Sequence, residues 1–498
     1  MTGVRPAIVV SLPARSAAEA VPQIVEARSA GADAAEIRID RWPPEERARL
    51  RDLFPSSLPL IATLRSARDG GSGPDGPAER APLLLSYAAL PFRWIDLEHG
   101  RDDGLVDRLP PTETLGRVIS CHLRDDELLD WPRRWLELSS VRGIGKLVVP
   151  ASVPIALGEM LPKLLGPRDE PVVVHTTGPS GPLLRAFARR LGSPLVFAAL
   201  PEGNGRAPVE PSQIPVDRLR RYLEAPGEAP MFAVAGRPIA HSRSPAIHST
   251  WMETDGRAGL YVPLEFASDD EFLESIPLLA ANGFRGLNVT HPLKAAAFEA
   301  ATDAGPGATA CGVANCLTLR DGEVLAENTD LVAILRRLEE LRESGPWDGR
   351  SIVVLGAGGA ARATLAAARA LSIPATVVAR RSEAAAALAK AFGASSETVV
   401  RPNSGTLIVH ASSAGREGAG PLDPVLARAI VGGGVVLDWV YAPSGSTVRD
   451  AASSAGAAYE DGWRLFVYQA AASYALWWGE EPSKELVDRA IVEGGCAA

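Results

Sequence analysis

The chain has 498 residues, 46% of them hydrophobic and 22% charged, which excludes a disordered polypeptide and leaves room for about two to four domains. Its 60 acidic and 51 basic residues give a net charge of −9, a balance with no footprint for nucleic acid. The four cysteines form no CxxC pair and no metal-ligand spacing with histidine, so the expectation is a reduced, cytoplasmic protein without a metal site. The opening MTGVRPAIVVSLPARS has only a short apolar stretch before charge returns, unlike a signal peptide. The apolar run 465–479 is too short to span a bilayer and reads as a buried helix, so no membrane partner is expected.

In chain order, eight short β-branched runs come first, at 8–12, 36–40, 60–64, 94–98, 118–121, 144–149, 172–175 and 195–199. Polar, helix-compatible stretches separate them. Strands alternating with crossovers imply a parallel sheet, and eight units in about 220 residues suit a (β/α)8 barrel over residues 1–225. The segment 69–81 (DGGSGPDGPAERA) is loop material. Residues 224–230 (EAPGEAP) read as a linker, after which MFAVAGRP begins a new strand. From there we expect an α/β unit of two lobes. One spans 231–340 and is completed by helices at about 460–498; the other, at 345–459, is a dinucleotide-binding lobe with further strands at 375–379, 407–411 and 435–439.

That second lobe opens with SIVVLGAGG, a strand running into a glycine-rich turn. Gly356-Ala357-Gly358-Gly359-Ala360-Ala361 fits the GxGxxG/A fingerprint. The first glycine permits the tight turn, the second lets backbone approach a pyrophosphate, and the small third position lets helix and strand pack closely. The helix N-terminus then offers its partial positive charge to the phosphates. At the end of the following strand stand Arg380 and Arg381 rather than an acid. Two guanidinium groups suit a 2′-phosphate, which favours NADP over NAD.

Arginine supplies nearly all the positive charge: the lysines are Lys146, Lys163, Lys294, Lys390 and Lys484. Lysine can lose its proton on burial and arginine in practice cannot, so a lysine in a special setting is a candidate for chemistry.

The stretch 236–248 (GRPIAHSRSPAIH) and the segment Asn288-Val-Thr290-His-Pro-Leu-Lys294 resemble the signatures of shikimate dehydrogenases. Asn315, 21 residues after Lys294, and Asn328-Thr-Asp330 continue the same pattern in order. The resemblance covers essentially all of 231–490. It implies reduction of 3-dehydroshikimate to shikimate by NADPH, with Lys294 as acid/base and Asp330 as its orienting partner. It also implies Ser242, Ser244, Asn288, Thr290, Asn315, Tyr441 and Gln469 as substrate ligands, and Trp439 and Gly462 near the cofactor. From the residues alone, Asp330 after Asn-Thr is equally a helix N-cap. His241, His248 and His291 read as hydrogen-bonded structural histidines. The chain departs from the family at Glu327 and Leu331, at Ala379, at His410-Ala-Ser where Asn-Ala-Thr is usual, and at Trp463-Arg464 close to the cofactor.

Residues 5–222 resemble type I 3-dehydroquinate dehydratases. The matches are Ser11, Glu36-Ile-Arg38-Ile-Asp40, Thr63-Leu-Arg65, Ile119-Ser-Cys-His122, Lys146-Leu-Val-Val-Pro150, Arg185 and Gln213. The resemblance implies a Schiff base between Lys146 and the ketone of 3-dehydroquinate, with His122 moving the proton. Lysine within an apolar barrel strand is desolvated, which frees its amine. Arg38, Arg65 and Arg185 are expected to clamp the substrate's carboxylate and hydroxyls, and Glu36 to orient His122. Asp69 stands where the family has glutamate, one methylene shorter. Val209-Glu-Pro-Ser-Gln213 replaces the usual Ser-Ala-Pro-Gly-Gln, which removes a hydroxyl at Val209.

The first reaction makes what the second consumes, so the combined resemblance is to bifunctional dehydroquinate dehydratase/shikimate dehydrogenases. Three other readings stay open at this point: a barrel kept only as a scaffold beside an active reductase, a non-catalytic metabolite sensor, and a reductase that prefers quinate and NAD. Oligomeric state and domain orientation are not legible in the sequence.

Overall fold

The computed structural model describes residues 5–166, 172–203, 206–320, 322–345, 347–400, 402–403, 405–412, 422–430, 434–441 and 446–496. The chain divides into two compact units. One is Met1–Met231 with Ala258–Ala267 and Ala281–Gly283; the other is Phe232–Arg257, Ser268–Ala280 and Phe284–Ala498.

The first unit is built on β1 (Ala7–Leu12), β2 (Ala34–Arg38), β3 (Leu60–Thr63), β4 (Trp94–Glu98), β5 (Gly116–His122), β6 (Ile144–Pro150), β7 (Val172–Thr177) and β8 (Leu195–Ala198). They form one eight-stranded sheet in the order β7-β6-β5-β4-β3-β2-β1-β8. The pairs are parallel, as in the (β/α)8 barrel expected from the spacing. At the seam between β7 and β8 a side chain bridges the strands. The Phe197 N–H donates to His175 Nε2 at 3.2 Å, while His175 Nδ1 lies 3.0 Å from the Val174 carbonyl oxygen. Inside, Val9, Ile61, Val118, Val173 and Phe197 form a buried layer.

Two features differ from the sequence reading. The second strand ends at Arg38 instead of running to residue 40, because Ile39–Arg41 winds into a 3₁₀ turn. That turn lets the buried Asp40 carboxylate accept two 2.9 Å bonds from Arg38. The crossovers are also uneven. Ala17–Ser29, Pro77–Ala88 and Trp131–Leu138 are regular helices, but β4 is followed by the 3₁₀ segment Asp103–Arg108 and β7 by the four-residue helix Leu183–Ala186.

From residue 231 the chain builds two further six-stranded sheets. The first contains β9 (Met231–Gly236), β10 (Leu260–Glu265), β11 (Phe284–Val289), β12 (Asp303–Ala304), β13 (Cys316–Arg320) and β14 (Glu323–Glu327). Its order is β10-β9-β11-β13-β14-β12, with β13 antiparallel to both neighbours. The second contains β15 (Ser351–Leu355), β16 (Ala375–Val378), β17 (Ser395–Ser396), β18 (Thr406–His410), β19 (Val435–Asp438) and β20 (Ala458–Glu460). Its order is β17-β16-β15-β18-β19-β20, all parallel. Counted within the lobe that is 3-2-1-4-5-6, the doubly wound order whose ligands sit where the winding reverses, here between β15 and β18. The helix Trp463–Trp478 is buried along Leu465–Tyr474. Among the described residues no helix is long and apolar enough to cross a membrane.

Two candidate active sites

Alternation along the barrel strands sets the first site. On β4, Asp96 and Glu98 point to one face; on β5, Ser120 and His122 do so. The register then places Glu98 beside Ser120 and Ser120 beside Lys146. The Lys146 side chain is 7% exposed, with Nζ 3.8 Å from Asp96 Oδ2 and 3.8 Å from the centre of the Phe197 ring. Burial pulls its pKa below that of an ordinary lysine, and Arg65 and Arg38 push the same way against Glu36 and Asp96. His122 is driven further in the same sense. Burial, then the charges of Arg65, Lys146 and Arg38, hold its pKa well below the usual imidazole value, and its Nδ1 is buried without a hydrogen-bond partner. The ring is therefore neutral near pH 7.

The other residues expected around Lys146 take more varied places. Gln213 Nε2 donates to Ser11 Oγ at 2.9 Å, and Ser11 Oγ donates to Glu36 Oε2 at 2.5 Å. Thr63 Oγ1 donates to the second Glu36 oxygen at 2.8 Å. Glu36 is thus held by two hydroxyls and, contrary to expectation, does not orient His122. Arg65 also differs from the expected clamp. Its guanidinium is buried on Asp96 at 3.1 Å, Glu98 at 3.4 Å and Ser120 Oγ at 2.9 Å. Arg38 lies on Asp40, and Arg185 on Thr176 O, Gly181 O, Ser212 Oγ and Glu210. Asp69, in the loop after β3, has its carboxyl pKa raised by burial and by Glu98. Val209 is half-buried beside Glu210. Sequence reading missed Asp96 and Glu98, although two acids at alternate positions of an otherwise apolar strand (WIDLE) are a period-two signal for an inward polar pair.

The second site lies where the signature loops meet. A Cβ on Gly236 would stand 2.4 Å from Thr290 Cγ2, so only glycine lets the 236–248 loop close on the 288–294 loop. Lys294 begins the helix Lys294–Glu299, and its Nζ donates to Asp330 Oδ2 at 2.5 Å. Asp330 sits in the first turn of the helix Thr329–Ser344, whose N-cap is Asn328 and not Asp330. That leaves both carboxylate oxygens available: Asn315 Nδ2 donates to Oδ1 at 2.9 Å. Asn315 Oδ1 accepts from the Thr329 N–H at 2.7 Å, Thr329 Oγ1 lies 3.1 Å from Ser473 Oγ, and Asn288 donates to Ser473 Oγ at 2.7 Å. Ser473 and Thr329, which the sequence did not single out, thus link Asn288 to the Lys294–Asp330 pair. His248 is buried among Trp251, Tyr474 and Trp477. Burial brings its pKa to about 3, partly offset by a hydrogen bond with Asn288. Ser242 Oγ accepts from the Ser244 N–H at 3.3 Å. The Gln469 amide donates to Phe466 O at 2.9 Å, and Tyr441 meets Trp463 edge-on at 5.6 Å. Trp463 is turned back to the C-terminal helix, donating to Ala490 O at 2.8 Å.

The glycine-rich turn fits a dinucleotide. Gly356 has φ +125°, and a Cβ there would stand 2.6 Å from Ala411 O, so β15 and β18 close tightly at the switch point. A Cβ on Gly358 would meet nothing within 4 Å, whereas one on Gly359 would stand 2.8 Å from Lys294 Cδ. The turn therefore opens at its second glycine and touches Lys294 at its third. Ala357 lies within the same turn, and Ala360 is in the first turn of the helix Gly359–Ala370 that follows it. Trp439 Nε1 donates to Thr364 Oγ1 at 3.1 Å, and Trp439 O closes over Gly462, where a Cβ would come within 2.4 Å. Arg380 and Arg381 are exposed at the end of β16, with no acid at that strand end. His410, buried, lies 2.7 Å from Asp438 Oδ1 and 2.6 Å from Ser412 Oγ. Among the described residues no cluster of His, Cys, Asp or Glu could hold a metal ion.

The type I 3-dehydroquinase family matches residues 8–230, and the shikimate dehydrogenase substrate binding domain matches residues 234–317. Shikimate dehydrogenase (NADP(+)) of Acidiphilium cryptum is 37% identical over 272 residues, 53% of this chain and 95% of that protein. The enzyme of the same name from Dinoroseobacter shibae is 37% identical over 282 residues, 53% of this chain and 99% of its own length. Among solved structures, dehydroquinate dehydratase and shikimate dehydrogenase from S. pombe is 22% identical, with a TM-score of 0.43, and covers 98% of each chain. On the 37% identity to the two shikimate dehydrogenases and the near-complete coverage of their length, the chain belongs to the shikimate dehydrogenase family over its second half, which follows a region matching the type I 3-dehydroquinase family in the same polypeptide.

Proposed function

We propose that the chain dehydrates 3-dehydroquinate to 3-dehydroshikimate in its barrel and reduces 3-dehydroshikimate to shikimate with NADPH in its second half. For the first reaction the supporting observation is one buried amine, held below its usual pKa, in the same site as a neutral imidazole with an unpartnered nitrogen. The free amine of Lys146 adds to the substrate ketone, and loss of water from the adduct gives an iminium. The iminium acidifies the neighbouring C–H, and His122 takes that proton and returns it to the departing hydroxyl. Hydrolysis of the product imine restores the amine. Gln213, Ser11 and Glu36 line one side as a hydrogen-bonded chain suited to hydroxyl groups.

For the second reaction the supporting observation is the Lys294–Asp330 pair set against Gly359 of the glycine-rich turn. Gly356, Gly358 and Gly359 would hold the pyrophosphate, and Arg380 and Arg381 a 2′-phosphate. The bound nicotinamide supplies the hydride. Lys294 gives its proton to the alkoxide that forms on the substrate, and Asp330, fixed by Asn315, keeps the ammonium aimed. Ser242, Ser244, Thr290, Asn288, Asn315, Tyr441 and Gln469 are proposed to hold substrate hydroxyls and carboxylate. Cys121, Cys311 and Cys316 are unpaired, which fits a cytoplasmic enzyme.

Borohydride added with 3-dehydroquinate should place one substrate-derived adduct on Lys146, found by peptide mass mapping. Separately, NADPH absorbance should fall when 3-dehydroshikimate is supplied. No adduct would end the Schiff-base reading, and faster oxidation of NADH than of NADPH would end the cofactor assignment.

A further inference from the structure

Three arginines stand at the barrel site, and each already holds an internal carboxylate. Arg38 is on Asp40, which is 0% exposed, and Arg65 is on Asp96 and Glu98, each 2% exposed. Neither partner can leave without stranding a charge in the interior, which is costly. Arg185 is different. It is 3% exposed, but its charged partner Glu210, 3.1 Å away, is 31% exposed. Arg38 and Arg65 face carboxylates on or just after strands; Glu210 lies outside any helix or strand, in the 206–215 connection.

The contacts of Arg185 separate a fixed part from an exchangeable one. Its NH1 group donates to Thr176 O at 2.7 Å, Gly181 O at 2.6 Å and Ser212 Oγ at 2.9 Å. These pin the guanidinium. NH2 carries Glu210, whose carboxylate also accepts from Ser212 Oγ. Nε is buried without a partner. Thr176, whose carbonyl holds Arg185, lies near the end of β7, the strand that pairs with β6 and its Lys146. Three residues after Glu210, Gln213 reaches Ser11 within the same site.

We propose that Glu210 is the resident counter-ion of Arg185 and that the carboxylate of the barrel's substrate binds by taking its place. The inference rests on the dehydratase reading above and adds how its anionic substrate is admitted. The exchange leaves the charge balance at the buried guanidinium unchanged. One carboxylate arrives at NH2 as the other moves into water, with NH1 still held by the backbone carbonyls. A ligand without a carboxylate cannot make the trade, so Glu210 both weakens binding and selects for anions.

The test uses the full chain and its glutamine variant, Glu210→Gln, which keeps the side-chain shape and removes the charge. The readout is the 3-dehydroquinate concentration that half-saturates borohydride labelling of Lys146, with dehydratase KM and kcat measured beside it. With no resident anion to displace, the variant should reach half-saturation at about tenfold lower concentration, with a matching fall in KM and little change in kcat. A purely structural role for Glu210 would raise KM or lower the melting temperature instead. Half-saturation that is unchanged or higher in Glu210→Gln overturns the exchange and leaves the dehydratase standing. Absence of label in both proteins overturns the dehydratase reading and the exchange with it.

Discussion

Lys146 and Lys294 are the same side chain in opposite settings. Lys146 is on a barrel strand, 7% exposed, with its closest carboxylate 3.8 Å away and an aromatic ring at the same distance. Lys294 is at a helix start, 18% exposed, in direct contact with Asp330 at 2.5 Å. Desolvation with no carboxylate in contact pulls the Lys146 pKa down, the direction an amine nucleophile needs, whereas Lys294 is set in direct hydrogen-bond contact with Asp330. The comparison teaches that the two modules set their amines at different distances from the nearest anion, 3.8 Å for Lys146 and 2.5 Å for Lys294.

Exchanging each amine for a methyl group gives the largest expected effects. Lys146→Ala should lose at least about 10⁴-fold in dehydration, since no other group can form the imine. Its reduction of 3-dehydroshikimate should stay normal. Lys294→Ala should reverse the pattern, with reduction down about 10² to 10⁴-fold. A coupled assay from 3-dehydroquinate, with each step also measured alone, checks both. Loss of both steps in either variant would mean that the two settings are not independent.

The neighbouring acids should fail in different ways. Asp96 is buried and holds Arg65, so Asp96→Asn leaves a partly uncompensated interior cation and should cost about 3 kcal/mol of stability. Asp330 is also buried, but its partner Lys294 is 18% exposed, so Asp330→Asn leaves a cation that water can reach. The expected outcome there is a kcat lower by about 10²-fold with the melting temperature nearly unchanged. Calorimetry on both variants beside reductase rates decides it. If Asp330→Asn proved the more destabilising of the two, the distinction between a buried and a water-accessible partner cation would collapse.

This contrast also marks what could be read from the chain beforehand. The eight strand runs were legible because β-branched clusters recur at regular intervals, and the glycine turn because Gly356 needs a positive φ that few residues tolerate. The pairing of Lys294 with Asp330 was suggested by ordered motifs, although 36 positions separate the two residues. What escaped was partner choice. Arg65 could be recognised as a charged residue after a strand, but that it spends its donors on Asp96, Glu98 and Ser120 depends on the registers β4 to β5 and β5 to β6. Local pattern does not encode lateral register. For the same reason Glu36 looked free to orient His122, when two hydroxyls from adjacent strands already held it.

Histidine burial offers a test of intermediate size. His122 and His175 in the first unit are held well below the usual imidazole pKa of 6.5, mainly by burial, and His248 in the second falls to about 3. The unfolded chain binds protons at these sites below about pH 6.5 and the folded chain does not. Their contribution to stability is therefore full above pH 6.5 and is lost as pH falls, at about 1.4 kcal/mol per pH unit for each ring. Calorimetric scans from pH 7 to pH 5 should show the first unit weakening more steeply. The pH slope of the wild-type minus His175→Asn difference isolates one ring, and a flat difference would refute the assignment. His122 gives a kinetic counterpart: with its pKa depressed, dehydration should show no loss of kcat/KM at pH 6.5 from protonation of this base.

The smallest effect concerns the cofactor, and it asks whether surface charge alone can discriminate. Arg380 and Arg381 stand exposed at the end of β16, and water screens what they hold. Each arginine is worth about one charge-assisted hydrogen bond to a 2′-phosphate, roughly tenfold in affinity. Arg380→Ala and Arg381→Ala should each raise KM for NADPH by about that factor and leave KM for NADH unchanged, because the ribose hydroxyl of NADH offers them no anion. Raising the salt concentration should narrow the gap between wild type and variants, as it would for no buried pair in the molecule. Steady-state rates with both nicotinamides at two ionic strengths measure all of this. An equal rise in KM for NADH would mean that the two residues shape the turn after β16 and do not read the phosphate.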